Sequence, residues 1–205
     1  MGIDTYLLGL TCSSQQSIEA TTYLLKRVGV DFTKLTYLQY RGNGWPSGVQ
    51  IKKDNGERLF VSNNSSLWSD IFHSRLFIQK RCFYCQNTLN KYSDVVLADP
   101  WLKDYLSEES IGQTLFAAYT PKGSTIIKAA IDKGYIEAKS VNDDFLEKSQ
   151  RLTLIRKSGY KKHPKVRNIL IDIYYNSIYR RLALLPTIFK FHIKLNKIIE
   201  KKFLK

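Results

Sequence analysis

Short apolar segments and amphipathic segments alternate along most of the chain, which is the order expected for an α/β fold. Residues 5–10 are apolar and bounded by small polar residues, so they predict a buried strand. Residues 14–29 place apolar side chains at helical spacing and end at Gly29, and Ser14 or Ser17 can cap the helix. The chain is therefore predicted to begin with a strand and a helix.

The middle of the chain predicts further strands and a hairpin. Residues 49–61 alternate in polarity on either side of Asn55-Gly56, a pair that favours a two-residue hairpin turn. Strands are also predicted at residues 35–40, 93–99, 113–120 and 135–141. A turn is predicted at residues 121–123, a helix from Ser124 to about Lys133, and another helix from an Asn142 cap through residue 152.

The pattern changes after Gly159, where apolar residues recur only at helical spacing. These residues are Val166, Ile169, Leu170, Ile173 and Tyr174, and then Ile188, Phe191, Leu195 and Ile198. They predict two amphipathic helices that are kinked or broken at Pro186. The predicted fold class is α/β: a mixed sheet with flanking helices in residues 1–158, followed by a basic helical tail in residues 159–205.

Charge is concentrated in the same C-terminal region. The chain has a net charge of +14, and residues 156–205 hold 14 Lys and Arg against two acidic residues, so they account for +12. This basic tail is predicted to be an interaction surface for an anionic membrane, a partner subunit or a nucleic acid. Nucleic acid ranks last because no known binding motif accompanies the charge. The simpler alternative is a solvated basic face over a packed helix.

The sequence favours a cytoplasmic protein. No apolar run reaches the roughly 18 to 20 residues of a membrane span, and the first residues lack a basic segment followed by a long apolar one. Three cysteines, two of them closely spaced, suit a reducing compartment better than a disulfide framework. Peripheral membrane contact through the basic tail remains open.

The cysteines are Cys12 and the Cys-x-x-Cys pair formed by Cys82 and Cys85. Such a pair can bind a metal or a cluster, form a redox disulfide, or have no special role. His73 would complete a zinc site, although a single histidine among apolar residues is more often a core or surface residue. Cys12 precedes the first predicted helix, whose dipole favours a thiolate, but a cysteine there also packs well as a small apolar residue.

Four segments taken together resemble a known family. They are GLTCSSQQSIEATTYLLKRVGVD (residues 9–31), YRGNGWPSG (40–48), KRCFYCQNTLNKYSDVVLADPW (80–101) and GQTLFAAYTPKGSTIIKAAIDKGYIE (112–137). In this order they resemble the C-terminal domain of the coenzyme F420 hydrogenase/dehydrogenase beta subunit family. The resemblance spans roughly residues 5–155.

The resemblance implies an iron–sulfur flavoprotein-type oxidoreductase that moves electrons between a one-electron carrier and a hydride acceptor. Its cofactors would be FAD and a 4Fe–4S cluster, with Cys12, Cys82 and Cys85 as metal ligands. Redox partners would be a ferredoxin or a hydrogenase or dehydrogenase subunit. The segment that carries a fourth cysteine in the family, and the family's glycine-rich flavin motif, do not occur here. The sequence is therefore expected to be a partial or shortened member.

A flavin site is expected at residues 41–48 and at the end of the strand that precedes Pro100. Arg41, Gly42, Gly44, Trp45 and Asp99 are the candidate cofactor-binding residues, since glycines let the backbone approach a phosphate and Trp45 offers a stacking surface. The alternative is a tight turn and an ordinary strand end. No catalytic acid–base pair is evident, because the cofactor would carry the hydride chemistry.

The competing hypothesis is a non-enzymatic interaction or scaffold module that docks through the basic tail. The family resemblance links such a module to cell-surface polysaccharide biosynthesis. The presence or absence of bound iron distinguishes the two hypotheses.

Overall fold

The computed structural model describes residues 5–64, 66–107 and 110–203, and the chain divides into two compact units. Unit 1 contains Met1–Ser13, Gln86–Glu109 and Gln113–Leu154. Unit 2 contains Ser14–Cys85, Ser110–Gly112 and Ile155–Lys205. The chain therefore passes between the units several times.

The described residues form six strands and nine α-helices. The strands are β1 (Leu8–Leu10), β2 (Leu35–Gly42), β3 (Gly48–Lys53), β4 (Arg58–Ser62), β5 (Val95–Ala98) and β6 (Leu115–Ala118). The helices are α1 (Ile18–Arg27), α2 (Leu67–His73), α3 (Lys103–Ser107), α4 (Pro121–Asp132), α5 (Phe145–Ser149), α6 (Arg151–Lys162), α7 (Pro164–Tyr175), α8 (Ser177–Ala183) and α9 (Pro186–Phe203). Short 3-10 turns lie at Phe32–Lys34 and Lys80–Phe83.

Unit 1 is built on a mixed sheet with the strand order β1-β5-β6. β1 runs parallel to β5, with Leu8 opposite Val95, and β6 runs antiparallel to β5. Val95 and Val96 of the central strand are fully buried, because both faces of that strand are covered. Val96 packs with Leu89, Ala98 and Leu146 in a small core, so the predicted α/β class with a mixed sheet is confirmed.

The predicted turn at residues 121–123 is wrong, because these residues form the first turn of α4. Pro121 suits the first helical position, where its missing N–H costs no hydrogen bond. The Thr120 hydroxyl caps the helix by accepting the Gly123 N–H at 3.0 Å. A Cβ atom on Gly123 would lie 2.1 Å from the Asp94 carbonyl oxygen, so glycine lets the helix start close to the sheet.

The predicted strand at residues 135–141 is also wrong. This described segment has no regular secondary structure, and five of its seven residues are exposed. Polarity alternates along it, but a strand needs a hydrogen-bonded neighbour and a buried face. The segment has neither.

Unit 2 contains an antiparallel sheet with the order β2-β3-β4, in which Gln50 lies opposite Phe60. The predicted hairpin is confirmed, and Gly56 in its turn has a φ of 85°, a conformation that favours glycine. The predicted first helix is also confirmed. α1 begins directly after Ser17, and Gly29 follows its end with a φ of 71°.

The tail forms three helices, α7, α8 and α9, instead of the predicted two. The additional break is at Asn176, whose extended backbone ends α7 and whose side chain accepts the Tyr179 N–H at 2.9 Å to cap α8. The predicted break at Pro186 is confirmed, since α9 begins there.

The tail helices belong to the core of unit 2. Leu170, Ile171, Tyr174, Phe189 and Ile193 are buried in the same apolar cluster as residues of α1, the β3 strand and the segment at 76–78. These buried residues are internal packing surfaces of the tail helices. The apolar stripe predicted for the last helix is not the buried one, since Ile188, Phe191, Leu195 and Ile198 are exposed. The domain boundary between residues 158 and 159 stays a prediction. No helix in the described ranges is long and apolar enough to cross a bilayer.

Candidate functional site around the cysteine pair

Cys82 and Cys85 lie on and just after the 3-10 turn of unit 2. The turn is closed by backbone hydrogen bonds, from Cys82 N to Gln79 O at 2.9 Å and from Cys85 N to Arg81 O at 3.1 Å. Cys82 is buried and Cys85 is exposed. The pair therefore presents one thiol to the interior of the unit and one to solvent.

Two groups that are distant in sequence reach Cys82. The backbone N–H of Gln15 donates to the Cys82 Sγ atom at 3.4 Å. The Lys157 ammonium, on α6, donates to the Cys82 carbonyl oxygen, and Lys157 is 5% exposed. Both the sulfur and the backbone of Cys82 are thus contacted by groups that lie far away in the sequence.

The cysteine turn is held by aromatic residues of the C-terminal helices. Phe83 is fully buried, with ring centroids 5.4 Å from Tyr160 and 6.0 Å from Tyr174. The Tyr175 hydroxyl donates to the Ile78 carbonyl at 2.6 Å, just before the turn. Burial is the main cause that raises the pKa of Tyr175, and the charge of Arg180 opposes it to a smaller extent. These side chains fix the backbone on which both thiols are carried.

Cys12 belongs to unit 1 and is exposed. It follows β1, and its backbone N–H donates to the Thr88 carbonyl at 2.9 Å. α1 begins only at Ile18, so Cys12 is outside the first helical turn, where the dipole effect is concentrated. The prediction that Cys12 directly precedes the first helix is therefore wrong, and the state of its thiol stays a prediction.

The residues that the structure describes hold no complete ligand set for a metal or cluster. Among residues 5–64, 66–107 and 110–203, no group of three or more His, Cys, Asp or Glu side chains is arranged to hold a metal ion. A 4Fe–4S cluster ordinarily takes four ligands. His73 Nδ1 instead lies 2.7 Å from the Ser69 carbonyl of its own helix. The set of Cys12, Cys82 and Cys85 as ligands stays a prediction.

The loop after β2 is shaped by its packing against residues 110–112. Gly44 has a φ of 68°, and a Cβ atom there would lie 2.1 Å from the Ser110 carbonyl oxygen. The Trp45 N–H donates to the same oxygen at 2.7 Å. Gly44 is therefore required by the close approach of two backbone segments, whether or not a ligand binds.

The other predicted cofactor residues are placed as follows. Arg41 is exposed at the end of β2, and a Cβ on Gly42 would meet only the flexible Gln50 side chain. Trp45 is partly buried, and Asp99 follows β5 in unit 1, where its carbonyl accepts a hydrogen bond from Gln150 at 2.9 Å. Their role in flavin binding stays a prediction.

A buried polar network in unit 2 was not predicted from the sequence. His192 Nε2 donates to the Ser74 carbonyl at 2.7 Å, and Asn196 Nδ2 donates to it at 2.6 Å. The Tyr179 hydroxyl then donates to His192 Nδ1 at 2.7 Å. Burial lowers the pKa of His192, so the neutral ring fits these contacts. The spacing of four residues between His192 and Asn196, which places both on one side of a helix, is the sequence feature that could have indicated this network.

An ion network with two buried arginines joins the C-terminal helix to the segment before the cysteine turn. Arg75 is 2% exposed, has a φ of 65°, and places its Nε atom 3.4 Å from Glu200 Oε1. Arg156 Nη1 lies 3.7 Å from the same oxygen. A buried guanidinium without a partner is strongly unfavourable, so Glu200 stabilises this arrangement.

The family model for the C terminus of the coenzyme F420 hydrogenase/dehydrogenase beta subunit matches residues 4–144. This range is more than half of the chain and contains all three cysteines and residues 41–45. A search of the curated proteins returns no significant match. The matched range ends before α6, which supplies Lys157.

Proposed function

The chain belongs to the family of C-terminal domains of coenzyme F420 hydrogenase/dehydrogenase beta subunits, and we propose that it takes part in electron transfer together with a partner subunit. The family description names a subunit of a redox enzyme, which supports a role within a larger assembly. The proposed partner is a ferredoxin or another hydrogenase or dehydrogenase subunit. Reduced coenzyme F420 is proposed either to donate the hydride or to be formed when oxidised F420 accepts it.

The observation that carries this proposal is the environment of Cys82. Its sulfur accepts the Gln15 N–H, and a buried lysine is bonded to its carbonyl group. Neither contact is needed to form a 3-10 turn, and together they hold the sulfur and the backbone of Cys82 in one position. The cysteine pair therefore supports a role in cofactor binding better than an incidental role.

We infer that Cys12, Cys82 and Cys85 contribute thiolates to a 4Fe–4S cluster whose fourth ligand comes from the partner subunit. In the complex, the three sulfur atoms are then expected within roughly 7 Å of one another, because cluster thiolates surround a compact cube. The chain alone lacks a complete ligand set among its described residues. It is expected to need an external thiol to retain iron.

FAD is proposed to bind beside the loop at residues 41–45 and Asp99. The exposed Arg41 would face the phosphates and Trp45 would stack against the ring system. Arg41→Gln is expected to weaken FAD binding, measured by quenching of flavin fluorescence. Arg58→Gln, an exposed arginine of the same sheet, is the control.

The cluster is tested by anaerobic reconstitution of the full chain with ferrous iron, sulfide and an added dithiol that can replace the missing ligand. Iron, acid-labile sulfide and visible absorbance are measured. Cys12→Ser, Cys82→Ser and Cys85→Ser are each expected to lose the absorbance and most of the iron. Gln86→Ser, which changes an exposed residue next to Cys85, should retain both the absorbance and the iron.

The lysine that contacts Cys82 is tested in the same assay. Lys157→Met should lower iron retention, whereas Lys161→Met, at an exposed position on the same helix, should not.

The second candidate is a non-enzymatic binding or scaffold module. The incomplete set of ligands among the described residues favours it. A folded, colourless protein, with the same iron content in all three cysteine variants as in the parent, would contradict the cluster and support this second function. Zinc bound in equal amount to the protein without visible absorbance would instead indicate a structural metal.

A further inference from the structure

The outward face of α9 carries a second apolar stripe. Its members are Ile188, Phe191, Leu195 and Ile198, spaced three, four and three residues apart, so they lie along one side of the helix. Their exposed fractions are 38%, 65%, 37% and 60%. Exposed aliphatic and aromatic side chains in a continuous row mark an interaction surface more often than isolated ones do.

This stripe cannot turn inward, because the opposite side of α9 is already packed. Phe189, His192, Ile193 and Asn196 are buried on that side, and two of them bond the Ser74 carbonyl. Glu200 is held by Arg75 and Arg156. The rotation of the helix about its axis is thereby determined by contacts within unit 2.

A row of lysines runs beside the apolar stripe. Lys190, Lys194, Lys197 and Lys201 are exposed and spaced four, three and four residues apart. None of their ammonium groups has a carboxylate within 4.0 Å in the described parts of the chain. Glu200 is the only acidic residue of α9, so this row presents positive charge alone.

The preceding helix and the link to α9 also carry exposed apolar residues. Ile178 and Leu182 of α8, and Leu185 in the link to α9, are 70%, 50% and 50% exposed. α8 and α9 are in contact within unit 2. The segment from residue 178 to residue 201 therefore combines exposed large aliphatic groups with unneutralised lysines.

We propose that the outward face of α9 binds the surface of an anionic lipid bilayer. Positive charge beside an exposed Phe, Leu and Ile stripe is the composition of helices that lie in the membrane interface. The centres of protein–protein interfaces are instead depleted in lysine and enriched in Tyr, Trp and Arg. An acidic protein is therefore the less favoured occupant. The inference is independent of the proposed redox function.

The test is co-sedimentation of the full chain with lipid vesicles. Binding is expected to vesicles that contain phosphatidylglycerol and not to vesicles of phosphatidylcholine alone. Lys190→Gln combined with Lys194→Gln should weaken binding roughly twenty-five-fold, since each lysine contributes about a factor of five at an anionic surface. Raising the salt concentration to about 1 M should also release the protein, because the screening length falls to about 3 Å.

Phe191→Ser combined with Ile198→Ser tests the apolar contribution, and should weaken binding by at least roughly tenfold. The matched controls are Lys128→Gln with Lys133→Gln for lost charge and Leu152→Ser for lost exposed apolar surface, and both should bind normally. Circular dichroism checks that each variant is folded. Equal binding to both kinds of vesicle, binding to neither, or equal losses in variants and controls would overturn the proposal. Failure to bind either kind would leave an acidic protein as the occupant.

Discussion

Two segments of unit 2 were predicted to bind cofactors, and the structure distinguishes them. The cysteine turn receives polar contacts that its backbone conformation does not require, including the Gln15 N–H on Cys82 Sγ. The loop at residues 41–48 uses Gly44 and the Trp45 N–H to pack on Ser110. Contacts that a motif's backbone conformation does not require thus support a functional role for it. A motif whose residues are fully explained by packing has less support for such a role.

The largest expected effect comes from removing the support of the cysteine turn. Phe83→Ala should lower the free energy of unfolding by about 3–5 kcal/mol, because the ring is fully buried between Tyr160 and Tyr174. Urea denaturation measures the loss. Tyr92→Ala is the control, since this tyrosine is 84% exposed and should cost little. Equal losses in the two variants would show that the turn is not anchored through Phe83.

A smaller effect is expected in the glycine loop. Gly44→Ala should cost about 2–4 kcal/mol, because alanine is strained at a φ of 68° and its methyl group would overlap the Ser110 carbonyl. Gly56→Ala is the matched control, since its φ is 85° but nothing lies within 4 Å of a Cβ there. It should cost only about 1–2 kcal/mol.

The comparison of the two glycines isolates the packing contribution. If both variants lose the same stability, the approach of Ser110 does not constrain the loop. The glycines would then again be available to approach a phosphate.

The smallest effect concerns pH and the segment that leads to the cysteine turn. Burial is the main cause that lowers the pKa of His192 in the folded protein. The unfolded chain therefore binds more protons below its ordinary histidine pKa of about 6.5. Stability should be full above that pH and fall as the pH is lowered, by up to about 1.4 kcal/mol per pH unit for His192.

Thermal denaturation between about pH 7.5 and pH 5 checks this prediction. His192→Gln should reduce the slope. His163→Gln is the control, because His163 is exposed. A stability that stays constant over this range in the parent protein would contradict the assignment of a buried neutral His192.

Local elements were predictable where the signal is contained in a few neighbouring residues. α1 with Gly29 after its end and the Asn55-Gly56 hairpin depend on short-range backbone preferences, and both are confirmed. Residues 135–141 show the limit of the same reasoning. Their alternating polarity is local, but a strand also needs a partner, which the sequence pattern does not supply.

The sequence predicted which cysteines form the candidate site, but it did not predict which residues surround them. The spacing of Cys82 and Cys85 is visible in the sequence, whereas Lys157 lies 75 residues later and outside the range that matches the family. No periodic pattern links a lysine on one helix to a carbonyl on a distant turn. The sequence around residues 41–48 likewise does not indicate that the Ser110 carbonyl lies beside Gly44.

The sequence by itself determined the family, the α/β class, the basic C-terminal region and the thiols available for chemistry, because these depend on composition and on short-range spacing. Only the tertiary structure decided which side of α9 is buried and which groups surround Cys82. α9 has two apolar faces, and the periodicity of the sequence alone does not show which of them is buried. Packing against Ser74 and Arg75 makes that choice, since buried polar groups must find partners from distant parts of the chain.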